Sequence, residues 1–352
     1  MSDREQFVDF DNNKSSTQKI ECGVPQGSIL GPLLYLIYVN DIATCTHGNI
    51  LSFADDTALF LSDSNLGNLF TNANVEVNKL FNWFCANRLS LNPTKTKALV
   101  ISNSNNPVNS VDQQLYINGT PLTQIGSNFH EKSTKFLGLH LDDILSWKHH
   151  LAHINRKISY ALFMIKQVKH FLPANSLKTL YYALIHPHLS YGILAWGNAN
   201  SSILKKTEIL QKRAIRTINR ANYNSHTEPL FKKCGILKLN DLYESQVALF
   251  MRDYVSNILP MSFDKLYHFN YEIQKDHETR QSNQMYIQRC NSAFAGKLPL
   301  YKFPLIWNKW CNVLPNISSR SHFKKQLTKC IISSYSNSVN CSNKICTDCF
   351  RT

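Results

Sequence analysis

Two adjacent carboxylates, Asp55 and Asp56, stand between the short apolar runs Ile50 to Phe53 and Thr57 to Leu61. Runs of this length and composition read as two strands, which places the acid pair at a hairpin tip. No other stretch constrains the chain as tightly, because the pairing fixes two strands and holds like charges side by side where they repel. Aspartate is at home in turns, where its side chain bonds the local backbone, so a solvated turn is one reading. The other is a site for a hard divalent cation, which takes carboxylate oxygens and leaves positions for water and phosphate. The stretch alone does not choose between them.

Upstream, Gly23, Pro25 and Gly27 make a sharp loop, Ser28 is placed to cap a helix, and Pro32 is tolerable in a first turn. The local expectation is a loop feeding a buried helix within Ile29 to Val39. Gly27 would let the backbone approach a ligand closely, and Gln26 offers both donor and acceptor to a base or sugar edge. Before the loop, Gln6 to Asp11 and Gln18 to Cys22 suggest two strands joined by the turn Asn12 to Ser16. After the acids, Leu66, Leu69, Phe70, Ala73, Val77, Leu80, Phe81 and Phe84 fall at helical spacing, so this stretch is expected to pack on the strands that carry the aspartates.

The run Gly23-Val24-Pro25-Gln26-Gly27-Ser28, then Leu30-Gly31-Pro32 and Leu34, then Asn40-Asp41-Ile42, then Phe53-Ala54-Asp55-Asp56 closely resembles the reverse transcriptases of non-LTR retrotransposons, the jockey-like group in particular. Both motifs in this order and at this spacing are specific. The resemblance implies that Asp55 and Asp56 are catalytic and hold Mg²⁺, with Mn²⁺ as a substitute. It gives Pro25, Gln26 and Gly27 to the nucleotide and template, and it implies an RNA template, a DNA primer and deoxynucleoside triphosphates. In Asn87 to Lys97 it implies a lysine that protonates the departing pyrophosphate; Lys95 matches best, with Lys97 as the alternative. Lys135 to Asp142 reads as an alternating strand with Gly138 in the middle, and by resemblance it is the primer grip, a tight hairpin with Leu137 and Gly138 against the primer's 3′ end.

The family draws a further metal-binding aspartate from an earlier palm strand, which the resemblance places upstream of Ser2 to Gln6. The expectation is therefore a truncated chain without that strand, the fingers or an endonuclease, and with little or no polymerase activity of its own. Asp9 and Asp11 match the connector before the loop and are not expected to substitute. The alternative is a non-enzymatic nucleic-acid-binding remnant.

Charge divides the chain. Residues 1–142 hold 9 Lys and Arg against 13 Asp and Glu, and the remainder holds 29 against 11, so the net charge of +14 is entirely C-terminal. A basic region without acidic runs suits a partner held by its phosphates. Within it, Leu151, Ile154, Ile158, Ala161, Ile165, Val168 and Leu172 give one helical seam, and Leu177, Leu180, Tyr181, Leu184 and Ile185 a second. Ser201 to Arg220 gives a third helix, with Lys205, Lys206, Lys212, Arg213 and Arg216 expected along a nucleic-acid backbone. Beyond 261 no clear period returns until a helix near Ser321 to Ser333. The expected architecture is α+β: a partial palm of antiparallel sheet and packed helices over 1–142, a mostly helical thumb over 143–260, and a C-terminal extension over 261–352. The start of the chain carries no apolar signal segment and no run is long enough to span a membrane, so an intracellular setting, nucleus or cytoplasm, is expected. Zinc at Cys341, Cys346 and Cys349 is not expected, because only the last pair has ligand spacing and no histidine accompanies it.

Overall fold

The computed structural model describes residues 4–20, 23–24, 27–102, 113–273, 281–292, 294–314 and 319–335. It combines helices with short strands and divides into two compact units, Met1–Lys132 and Ser133–Thr352.

In the first unit, β1 (Arg4–Gln6) pairs with β4 (Gln18–Ile20), and β2 (Asp9–Phe10) pairs with β3 (Asn13–Lys14) inside it. The turn is not the expected Asn12 to Ser16. It is Asp11–Asn12, both left-handed at φ 48° and 62°, the conformation whose twist suits a two-residue hairpin. Ser15 is folded back on Val8: each backbone amide bonds the other residue at 2.9 Å, one through a carbonyl and one through the Ser15 hydroxyl.

Helix α1 (Leu30–Tyr38) follows the loop, and the Ser28 hydroxyl accepts from the Gly31 amide at 3.0 Å, satisfying one of the free donors of the first turn. The expectation of a buried helix is overturned. Only Gly31 is buried, whereas Leu30, Leu33, Leu36 and Ile37 are exposed, Ile37 at 66%. Just beyond its end, Val39 joins Ile42, Leu80 and Trp83 in a small cluster; the outer leucines find no such partner among the described residues.

Strands β5 (Asn49–Phe53) and β6 (Asp56–Phe60) form the hairpin, and α2 (Leu66–Ala86) follows, capped by Asn65. Helix α2 buries Phe70, Ala73, Leu80 and Trp83, and Ile50 and Leu59 of the hairpin pack against the same cluster. Strand β7 (Lys97–Leu99), β8 (Tyr116–Ile117), β9 (Thr120–Pro121) and β10 (Thr123–Ile125) complete the unit. β7 and β10 run parallel, and β8 and β9 antiparallel. Among the described residues the strands form separate two-stranded ladders.

The second unit opens with β11 (Thr134–Phe136) and β12 (Leu139–Leu141), then becomes helical: α3 (Lys148–Val168), α4 (Ala174–Leu184), α5 (His186–Ser190), α6 (Ile193–Trp196), α7 (Ser201–Ile218), α8 (Glu228–Cys234), α9 (Leu239–Val255), α10 (Asn270–Ile273), α11 (Pro299–Cys311) and α12 (Arg320–Ser333). Their apolar seams meet in one extensive core that includes Ile158, Tyr181, Trp196, Ile215, Val247 and Leu327. Helix α7 lies against α3, α4 and α8, and α9 against α6, α11 and α12. Helix α11 occupies a stretch in which no period was expected. Pro299 at its start is compatible with a helix and Pro304 inside it costs a backbone bond, yet burial of Phe303, Ile306, Trp307 and Trp310 outweighs that loss. Among the described residues no helix is long and apolar enough to cross a membrane.

Candidate functional site

The β5–β6 register runs from Asn49 opposite Phe60 to Phe53 opposite Asp56, which leaves Ala54 and Asp55 as the connection. Ala54 is left-handed at φ 51°, a conformation that costs a residue with a Cβ about 1–2 kcal/mol. Alternation along the ladder puts Ile50, Leu59, Ser52 and Thr57 on one face and Leu51, Phe53, Asp56 and Phe60 on the other. Ile50 and Leu59 anchor the first face at its base. The second is largely solvent-facing, with Leu51, Phe53 and Phe60 all exposed.

Asp55 and Asp56 are both exposed, and neither carboxylate has a hydrogen bond or ion pair among the described residues. Their oxygens are open to a cation. No group of three or more Asp, Glu, His or Cys side chains suited to a metal occurs among the described residues. Asp9 faces Lys14 at 3.9 Å and Asp11 stands in the first hairpin's turn.

The hairpin's base is held by a residue that the sequence reading passed over. Glu76 of α2 is buried; its Oε2 accepts from the His47 amide at 2.9 Å and from the Thr46 hydroxyl, and its Oε1 from Lys79 at 2.7 Å. Thr46 and His47 lead directly into β5, so this carboxylate fixes where the strand begins. The bonds from Lys79 and Thr46 hold its pKa down at about 2. A signal was present: Glu76 lies three residues after Ala73 and four before Leu80, on the apolar stripe itself.

Pro25 and Gln26 lie outside the described residues, while Gly27 is exposed and left-handed at φ 81°, with nothing within 4 Å of where a Cβ would stand. Lys95 sits in the turn after α2, where the Asn92 carbonyl accepts its amide at 3.2 Å, and its exposed ammonium has no partner among the described residues. Lys97 differs, because its ammonium is bonded to Glu131.

In the second unit, Leu137 and Gly138 form the two-residue turn between β11 and β12, left-handed at φ 45° and 85°. The alternating stretch is therefore two strands folded at its glycine, a tight hairpin of the kind that the resemblance implies. Of the five basic residues expected along a backbone, only Lys206 is exposed; Lys205, Lys212, Arg213 and Arg216 are half-buried because α7 is packed on several sides. Arg216 donates to the Ser225 carbonyl at 2.9 Å and lies over the Tyr223 ring. Exposed cations instead crowd α3, where Arg156, Lys157 and Lys166 stand beside exposed Tyr160 and Phe163. Arg156, Lys157, Tyr160, Met164, Leu184 and His188 line an open groove of about 440 Å³. No acidic residue occurs between Asp143 and Glu208. Cys341, Cys346 and Cys349 lie outside the described residues.

Residues 3–141 match the family described as reverse transcriptase (RNA-dependent DNA polymerase). The chain is 26% identical over 268 residues to the RNA-directed DNA polymerase from mobile element jockey of Drosophila melanogaster, a match covering 71% of this chain and 28% of that protein. It is 27% identical over 234 residues to the probable RNA-directed DNA polymerase from transposon BS of the same fly, covering 63% and 25%. A third relative, the probable RNA-directed DNA polymerase from transposon X-element, is 25% identical over 228 residues, covering 60% and 23%. The chain thus spans about a quarter of the length of the curated relatives it matches.

Proposed function

We propose that the chain works as a reverse transcriptase of the non-LTR retrotransposon kind, with residues 1–142 a portion of the polymerase palm, 143–260 a helical thumb and 261–352 a C-terminal extension, in RNA-directed DNA synthesis. The substrates are an RNA template, a DNA primer and deoxynucleoside triphosphates. The observation that carries this reading is the pair of unpartnered carboxylates at the β5–β6 turn. Acids that served only to make a turn would spend their oxygens on the local backbone.

Exposed oxygens on adjacent residues suit a hard cation, so Asp55 and Asp56 are the residues that would hold Mg²⁺, or Mn²⁺ in its place. Such an ion supplies charge stabilisation to the transferring phosphate and lowers the pKa of an oxygen bound to it. Lys95, with its ammonium uncommitted, is the proton donor to the departing pyrophosphate; Lys97 is engaged by Glu131 and is the weaker candidate. Pro25, Gln26 and Gly27 contact the nucleotide and template, and the Leu137–Gly138 turn holds the primer terminus.

Two adjacent carboxylates would supply only part of the oxygen shell of such an ion. The other ligands would come from water, from substrate phosphates and from further protein oxygens. The exposed side chains of Leu51 and Phe53 beside Asp56 support this, because apolar surface of that kind is ordinarily covered by protein. We therefore expect the 352-residue chain alone to incorporate little nucleotide and to gain activity when joined to more of a retrotransposon polymerase. Primer extension on an RNA template with Mg²⁺ tests this. Extension by the joined protein that disappears on Asp55→Ala supports the reading, and equal extension by wild type and Asp55→Ala refutes it.

A second reading, nucleic-acid binding without chemistry, draws on the acid-free stretch between Asp143 and Glu208 and the exposed cations of α3. It predicts salt-sensitive duplex binding that Asp55→Ala leaves unchanged, with no incorporation by any extended form.

A further inference from the structure

We propose that Tyr191 is a positioning residue for the Leu137–Gly138 turn. Only the consequence for a primer terminus rests on the function proposed above; the positioning itself rests on the geometry of the second unit.

The β11–β12 ladder has three residue pairs, and a hairpin of that size has little stability of its own. Its turn is strained as well, since Leu137 carries a Cβ in the left-handed region. Something outside the ladder has to hold it. Tyr191, in the link between α5 and α6, donates its hydroxyl to the Leu137 carbonyl at 2.5 Å. Its ring lies so close to Gly138 that a Cβ there would come within 3.1 Å of it. The neighbouring Gly192, left-handed at φ 61°, leaves the space that Leu139 fills; a Cβ at 192 would stand 2.7 Å from the leucine side chain. One tyrosine and one glycine thus fit the tip through a bond, a ring contact and a gap.

Tyr191 is itself fixed. Its amide donates to the Pro187 carbonyl at 2.9 Å, and its carbonyl accepts from the indole N–H of Trp196 at 2.8 Å. Trp196 is fully buried, so the clamp is tied to the helical core. Packing does not explain the tyrosine: the residue is 57% exposed, and its hydroxyl could be satisfied by water. A partly solvated side chain that commits its hydroxyl to one turn carbonyl acts on the conformation of that turn. On the reading above, the turn determines where the primer's 3′ end lies, and Tyr191 reaches the primer only through it.

Tyr191→Phe keeps the ring against Gly138 and removes the bond. Two measurements separate the inference from the function it rests on: amide hydrogen exchange at residues 136–139, and binding of a labelled primer–template with a recessed 3′ end against a blunt duplex of the same length. We expect exchange to rise about fivefold to tenfold with the overall fold intact, and the preference for the recessed end to fall by a similar factor. Gly192→Ala, which forces Leu139 aside, should reproduce the pattern. Unchanged exchange in both variants overturns the inference. Increased exchange in a protein whose wild type shows no preference for the recessed end supports the positioning and overturns the primer-grip reading instead.

Discussion

The β5–β6 and β11–β12 hairpins each close on a two-residue turn whose first residue is left-handed, Ala54 at φ 51° and Leu137 at φ 45°, and each is strained there by a Cβ. They are held from opposite ends. The first is fixed at its base, where Ile50 and Leu59 join a four-residue cluster of buried side chains and Glu76 secures the approach to β5, while the tip with Asp55 and Asp56 is bare. The second is fixed at its tip by Tyr191 and along β12 by His150, whose Nδ1 accepts from the His140 amide at 3.4 Å. A turn that must offer its own side chains to a ligand has to leave them unbonded, so support comes from behind. A turn that offers backbone shape can be clamped at the turn itself.

Removing the clamp's foundation should have the largest effect. Trp196→Ala takes a fully buried indole from the helical core and frees the Tyr191 carbonyl, and it should cost the second unit about 3–5 kcal/mol. Urea unfolding followed by hydrogen exchange resolves the two units. If Trp196→Ala lowers protection around Asp55 as much as around Leu137, the two hairpins do not have separate supports and the comparison fails.

Acid should separate the supports by pH. Glu76→Ala leaves the His47 amide and Thr46 hydroxyl without their acceptor, a loss of about 1–3 kcal/mol to the first unit. The Glu76 carboxyl titrates at about 2 in the fold against an ordinary 4.5, so its contribution is complete above pH 4.5 and is lost as pH falls toward 2. His150 acts in the same direction but in a higher pH window. Burial first, then the nearby His140 and His153, lower its pKa to about 4, so the unfolded chain binds the proton more readily. The second unit should therefore lose stability as pH falls from 6.5 to 4, a decline that His150→Leu reduces and Glu76→Ala does not, the remainder coming from His140, His153, His186 and His188, whose pKa values burial also lowers. Exchange at residues 136–139 between pH 6.5 and 4, and at residues 49–53 between pH 4.5 and 2, measures both.

Much of the candidate site was legible because it is local. The acid pair between two apolar runs fixed its own hairpin, and the spacing of Phe70, Ala73 and Leu80, or of Leu151, Ile154 and Ile158, repeated often enough to specify helices. What escaped depends on distant contacts. Nothing in the sequence pairs Tyr191 with Leu137, and the two prolines of α11 hid a helix that exists because its tryptophans and phenylalanine are buried against α9. The basic residues of α7 looked solvent-facing because a charged helix reads as a surface helix, but α7 is enclosed by neighbours. The exposed face of α1 is the converse: an apolar period indicates that burial is favoured, and the partner must be supplied by other parts of the fold.

The smallest expected change in stability is at the acids themselves. Asp55→Asn and Asp56→Asn remove charge from exposed side chains that bond nothing among the described residues, and each should shift unfolding by less than about 0.5 kcal/mol. Relief of repulsion between adjacent charges should show as a slight gain at low salt, because screening is weakest there. In the same variants, Mn²⁺ binding followed by water-proton relaxation should be strongly weakened. That pairing of outcomes is what a bare tip held from behind predicts: loss of the ligand with no loss of the fold. A loss of 2 kcal/mol or more from either substitution would mean that the carboxylates support the turn, as Tyr191 supports the other, and the difference between the two hairpins would then disappear.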